Sequence, residues 1–240
     1  MTWIRDMSTT IRIQLNEKLF LRDPEQTELG RTIFRESIRL IDELGFELFT
    51  FKKLAQQISS TEASVYRYFE NKHKLLLYLV SWYWNWLDYR ISYHIHHVAD
   101  ASEKLRTFIR ILAGSHGSEP LKASVDVQAL ARIVVLEASK AYLTKEVDTD
   151  NKAGLFQDYK NLCHKIALVV LEIKPDYPYP HALVSTLFEA ARKHLFFAQH
   201  LPSLTEVRLD SAGANTLEGF LQHLAFSSLS REASSIGANH

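Results

Sequence analysis

The sequence predicts an all-α protein: an N-terminal three-helix head containing a helix-turn-helix, followed by a larger helical body. Three observations predict it. Through most of the 240 residues, apolar side chains recur at i, i+3 and i+4, the period of an amphipathic helix. Glycine occurs only eight times, and no strand-rich stretch follows the first residues, which disfavours an α/β enzyme. The run KHKLLLYLVSWYWNWLDYRISYHIHHV, residues 72–98, is apolar around so much of its circumference that other helices must surround it, unless it lines a cavity. A hydrophobic content of 46% is enough for one or two packed cores.

In chain order, TTIRIQL alternates polar and apolar residues and predicts a short extended strand or arm. Two readings compete for Arg5, Arg12, Lys18 and Arg22: a basic arm that reaches toward nucleic acid, or a segment packed on the protein because Ile11, Ile13, Leu15, Leu19 and Phe20 need burial. Asp23-Pro24 starts a helical turn, with Asp23 as cap and Pro24 at its first position. RTIFRESIRLIDELGF is a helix ending at Gly45. Thr50 caps a short helix at 51–58 whose Leu54, Ala55 and Ile58 share a face, and small Ala55 suits a close helix crossing. Ser59 and Ser60 make the turn, and Thr61 caps a second short helix at 62–69 that turns Val65 and Phe69 inward. Two short helices joined by a tight turn form a helix-turn-helix, whose second helix can enter the major groove of DNA.

Body helices are expected at 102–115, 125–144, 154–173, 180–201 and 217–229, with breaks at 114–120, 147–150, 175–180 and 209–215. The Ser-rich tail after Ser227 reads as frayed. The organisation is an arm at 1–24, a head at 25–78, a body at 79–230 and a tail at 231–240.

From about Thr32 to Leu79 the chain resembles the DNA-binding domain of the tetracycline-repressor (TetR) family. The resemblance is carried by the opening helix ending at Gly45, the cap Thr50, Leu54-Ala55, the cap Thr61, Tyr66, Tyr68-Phe69 and Lys72. Three positions depart from it: Ser59 stands where glycine is usual, Ser60 where a small apolar residue is usual, and Glu62 where a basic residue is frequent. The resemblance implies a transcriptional regulator, a homodimeric repressor released by a small-molecule effector and acting on a palindromic double-stranded operator. Thr61, Glu62, Ala63, Ser64 and Arg67 would face the major groove. Arg67 is the candidate base reader, since a guanidinium makes two bonds to guanine. Thr50, Tyr66, Tyr68 and Lys72 would hold phosphates. The effector, apolar or aromatic, would bind near Trp82, Trp86, Tyr89 and Tyr93. The dimer surface would be Leu183, Leu187, Ala190, Ala191, His194, Leu195, Leu217, Phe220, Leu221 and Leu224. The alternative is a helical interaction protein of the same fold that no longer binds DNA, which Glu62 and the neutral charge favour.

Formal net charge is zero, so bulk basicity advertises no nucleic acid. Residues 50–79 nevertheless hold five Lys or Arg against two acids, while 80–240 hold 16 basic and 17 acidic residues. The single cysteine, Cys163, excludes an intrachain disulfide and reads as a small buried residue. No apolar run spans a bilayer and no signal peptide is evident, so a cytoplasmic location is expected. His94, His96 and His97 lack the cysteine or carboxylate partners of a familiar metal site, and no phosphate loop or nucleophile elbow occurs. No metal, cofactor or enzymatic activity is expected.

Overall fold

Side-chain oxygens placed just ahead of apolar runs decide where most helices begin. The computed structural model describes residues 13, 15–114, 125–209 and 216–230. It comprises α1 (Glu28–Leu44), α2 (Phe51–Gln57), α3 (Glu62–Tyr66), α4 (Lys72–Ile95), α5 (Ala101–Leu112), α6 (Val127–Tyr142), α7 (Val147–Lys152), α8 (Gln157–Ile173), α9 (Pro180–His200) and α10 (Thr216–Ser230). Thr27, Thr50, Thr61, Asp100 and Asp126 each accept a first-turn backbone N–H, at 2.9–3.2 Å. Each bond satisfies one of the orphan donors at a helix start and contributes about 1 kcal/mol.

The described residues form two units, one drawn from 1–86 and 118–158, the other from 87–117 and 159–240. The division falls inside α4, between Trp86 and Leu87.

In the first unit, the inward stripe of α1 (Ile33, Phe34, Ile38, Ile41) is buried, as are Leu54, Val65, Phe69 and Leu75. Phe34 meets the rings of Tyr78 and Trp82 edge-on or tilted, at 5.4 and 5.5 Å. The segment before α1 makes short 3-10 turns at Glu17–Leu19 and Pro24–Gln26. Leu15 and Leu19 are buried, and Leu21 N–H donates to the Tyr68 carbonyl at 2.7 Å. For these residues the packed reading of the arm holds. Arg5, Arg12 and nearly all of TTIRIQL lie outside the described residues, as do the Ser-rich tail from 231 and most of two expected breaks.

Two features of this unit depart from expectation. The break expected at 147–150 is instead helix α7. Its Asp150 is buried and receives Lys74 Nζ at 2.9 Å and a His73 ring contact at 3.4 Å. Secondly, α6 packs against α1 and belongs with the head. Arg132 grips Asp42 through two bonds of 2.9 and 2.6 Å. Lys140 joins Glu47 and Glu137, both at 2.8 Å. Buried Glu137 accepts the Phe46 N–H at 3.1 Å. That last bond satisfies a backbone donor just past the end of α1 that no helical partner reaches.

In the second unit, Phe188 of α9 lies between Phe108 and Tyr159, at 5.3 and 5.5 Å. Arg106 of α5 bonds Gln222 at 3.0 Å and lies 4.3 Å over the Phe226 ring, both on α10. No helix among the described residues is long and apolar enough to cross a membrane.

Candidate nucleic-acid interface

The turn between α2 and α3 is fixed by backbone geometry. Ser59 N–H donates to the Gln56 carbonyl at 3.2 Å and Ser60 N–H to the Ala55 carbonyl at 2.8 Å, the paired bonds of a Schellman ending. That ending needs a left-handed residue, and Ser59 supplies it at φ 50°, the non-glycine with positive φ among the described residues. The departure from glycine noted in the sequence is accordingly a strained position rather than a different turn.

Thr61 then starts α3. Its hydroxyl accepts Ser64 N–H at 3.2 Å and lies 3.0 Å from the Ser64 hydroxyl. Val65 is fully buried and Phe51 of α2 packs edge-on against Tyr66 at 5.0 Å, which orients the short helix on the head. The outer surface is left to Thr61, Glu62, Ala63, Tyr66 and Arg67, all exposed, with Thr50, Lys52 and Lys53 beside them on α2. Arg67 lies back along α3, its guanidinium donating to Ser64 Oγ at 3.2 Å. Lys53 Nζ is held by the Leu48 carbonyl at 2.8 Å. One carboxylate, Glu62, stands among these cations on α3 itself.

Three expected contact residues sit differently. Tyr68 is buried, with its hydroxyl 2.7 Å from that of Thr27 and the Arg22 guanidinium 5.6 Å over its ring. It ties the arm and α1 to α3 and is not available to a phosphate. Ser64 is 8% exposed and its hydroxyl is engaged by Thr61 and Arg67, so it positions Arg67 instead of meeting a base itself. Lys72 Nζ donates to the carbonyls of Phe46 and Glu47, at 3.2 and 3.4 Å, and sits 4.8 Å over the Phe46 ring. Its charge closes the α1–α2 connection. Thr27 and Glu137 went unnoticed in the sequence because their partners lie 41 and 91 residues away.

A family model described as bacterial regulatory proteins, tetR family, matches residues 33–79, which span most of α1 through the first turns of α4. The match is to the TetR-family DNA-binding head and covers that head alone. Beyond the head, most of the chain shares its fold with solved structures. AibR, solved with isovaleryl coenzyme A and operator DNA, is similar at TM-score 0.56 and 16% identity, over 81% of this chain and 96% of that one. The fatty acid degradation regulator FadR from Bacillus halodurans is similar at TM-score 0.56 and 14% identity, over 83% and 93%. The superantigen PfiT is similar at TM-score 0.52 and 18% identity, over 84% and 95%. At these identities the likeness is one of fold. No curated protein matches the sequence.

The other expected sites are placed as follows. Trp82 and Trp86 are buried in the first unit, Trp82 against Phe34, and are core rather than an open ligand wall. Tyr89 and Tyr93, in the second unit, are 39% and 54% exposed. Of the expected dimer residues, Leu183, Leu187, Ala191, Leu217 and Leu221 are buried within their own unit and cannot meet a second chain. Close packing of α9 on α10 consumes that face. Ala190, His194, Leu195, Phe220 and Leu224 keep some exposure. The His194 ring bonds the Thr205 hydroxyl at 2.8 Å and packs on Phe220 at 4.7 Å. Cys163 is buried, and that burial raises its thiol pKa.

Proposed function

We propose that the chain is a transcriptional regulator that binds operator DNA as a homodimer through α3 and is released by a small-molecule effector. The observation that carries this reading is the exposed outer edge of α3. A helix capped by Thr61 offers Glu62, Ala63 and Arg67 to a groove, flanked by Thr50, Tyr66 and Lys52 as phosphate donors. Arg67 is the base-reading residue, released from Ser64 to a guanine edge. A bidentate pair of that kind discriminates by about 1–3 kcal/mol. AibR, similar in fold, is in complex with operator DNA, which supports DNA as the partner, and its isovaleryl coenzyme A adds short acyl thioesters to the apolar effectors worth testing. A regulator with these contacts works in the cytoplasm and needs no catalytic group.

Selection of bound fragments from random DNA tests the reading. A palindromic site bound by two chains is expected, and Arg67→Ala should then lose about 1–3 kcal/mol on that site at unchanged helix content. Failure to enrich any site, or an Arg67→Ala affinity equal to the parent's, removes the reading. The competing account, a helical interaction protein, is favoured by the likeness to the superantigen PfiT, since one fold hosts unrelated functions. It predicts no enriched sequence at all.

A further inference from the structure

Glu62 is the first residue of α3, and it is exposed beside Ala63, Tyr66 and Arg67. A surface carboxylate among cations is ordinarily explained by an ion pair. Here the neighbouring cations are turned elsewhere. Arg67 donates to Ser64 Oγ, Lys53 Nζ to the Leu48 carbonyl, and Lys72 Nζ to the Phe46 and Glu47 carbonyls. No hydrogen bond or ion pair among the described residues holds the Glu62 carboxylate. Nor is it needed as a cap, because the Thr61 hydroxyl already accepts the Ser64 N–H at 3.2 Å.

The same edge is the one that the regulator reading turns toward DNA, and a recognition helix meets base edges with its N-terminal residues. An anion carried there is repelled by phosphates and by every acceptor on the groove floor. Only a donor on a base edge offsets that repulsion. The major groove presents two, the N4 amino group of cytosine and the N6 amino group of adenine. The adenine amino group lies between two acceptors, its own N7 and the O4 of the paired thymine. The cytosine amino group has an acceptor on one side only.

The geometry points to Glu62 as a second base-reading residue, one that selects cytosine in the operator. The inference rests on the regulator reading and goes further by naming a base. Glu62 and Arg67 stand five residues apart, roughly 140° around the axis at about 3.6 residues per turn, so they flank the exposed face from opposite sides. They therefore address different base pairs, Arg67 a guanine and Glu62 a cytosine. The carboxylate that weakens binding to DNA in general becomes the group that rejects wrong sites, since guanine and thymine offer it acceptors alone.

Selection from random DNA with the parent chain, Glu62→Ala and Glu62→Gln tests the assignment, with the helix content of each followed by circular dichroism. The parent should enrich a cytosine at one position per half-site, distinct from the guanine that Arg67→Ala relaxes. In titrations, replacing that cytosine by thymine should weaken the parent about tenfold and Glu62→Ala by less than about twofold. Glu62→Gln should shift the preference from cytosine to adenine, because a carboxamide makes two bonds to adenine N6 and N7. A motif that both variants leave unaltered overturns the inference and spares the regulator reading. So does tighter binding of both variants to all sequences alike, the mark of a carboxylate that merely repels phosphates. Failure of the parent to enrich any motif overturns both.

Discussion

Ser59 is a single residue asked to do glycine's work. At φ 50° a side chain crowds its own backbone, a cost of roughly 1–2 kcal/mol that glycine does not carry. Glycine gives part of this back through a freer unfolded chain. Ser59→Gly should therefore raise stability by about 0.5–1 kcal/mol in urea denaturation, and a loss would show that the serine hydroxyl matters more than the φ angle. Gly30 presents the opposite case. A Cβ there would stand 2.3 Å from the Pro24 carbonyl oxygen, a backbone atom with little room to yield. Gly30→Ala should cost about 1–3 kcal/mol or unseat the arm, read as a lower melting temperature. Tyr68→Phe separates structural from DNA-contact roles. Losing the Thr27 bond should cost about 1 kcal/mol of stability and leave operator affinity per folded molecule unchanged. A selective loss of operator affinity would restore Tyr68 to the contact surface.

At the scale of elements, α6 decides how the head is held. Removing the Glu137 carboxylate strands the buried Phe46 N–H and takes one partner from Lys140. Glu137→Ala should cost about 1–3 kcal/mol, whereas the more exposed Arg132–Asp42 pair should yield at most about 1 kcal/mol in a double-mutant cycle. Most boundaries of the helices were legible beforehand: Thr50, Thr61, Gly45 and Pro24 carry local signals, since a cap acts within three residues of itself. The attachment of α6 to α1 was not, because Asp42–Arg132 and Phe46–Glu137 pair charges and donors about 90 positions apart, with no mark in either neighbourhood. The short α7 was missed for a related reason. Its DTDNK sequence resembles a loop, and only the tertiary pairing of Asp150 with Lys74 and His73 makes a helix there worthwhile. The candidate interface divided the same way. The exposure of Arg67 followed from helical phase, but the inward turn of Tyr68 depended on Thr27 arriving from before α1.

For the whole molecule, net charge is zero, and the local basic excess lies in residues 50–79, five Lys or Arg against two acids. A neutral chain with few uncommitted cations on each head should show a modest salt dependence. If a dimer engages two or three phosphates per head through cations, log K against log salt should slope at about −4 to −5. A slope near −10 would mean that further basic residues reach the DNA. Dimerisation, if it uses the partly exposed edge of α9, should fail in Leu195→Arg, read as a halved mass in sedimentation and a loss of operator binding with helix content kept. A dimer that survives places the contact elsewhere.

The gripping of α1 by α6 also sets a rule for anyone who would transplant this head. Excised at residue 79 it would leave behind Arg132, Glu137 and Lys140, and with them the partners of Asp42, Phe46 and Glu47. It is a module in its alignment but not in its mechanics. A working chimera must carry residues 118–158 along, or supply a foreign helix that offers the same three groups to the same turn.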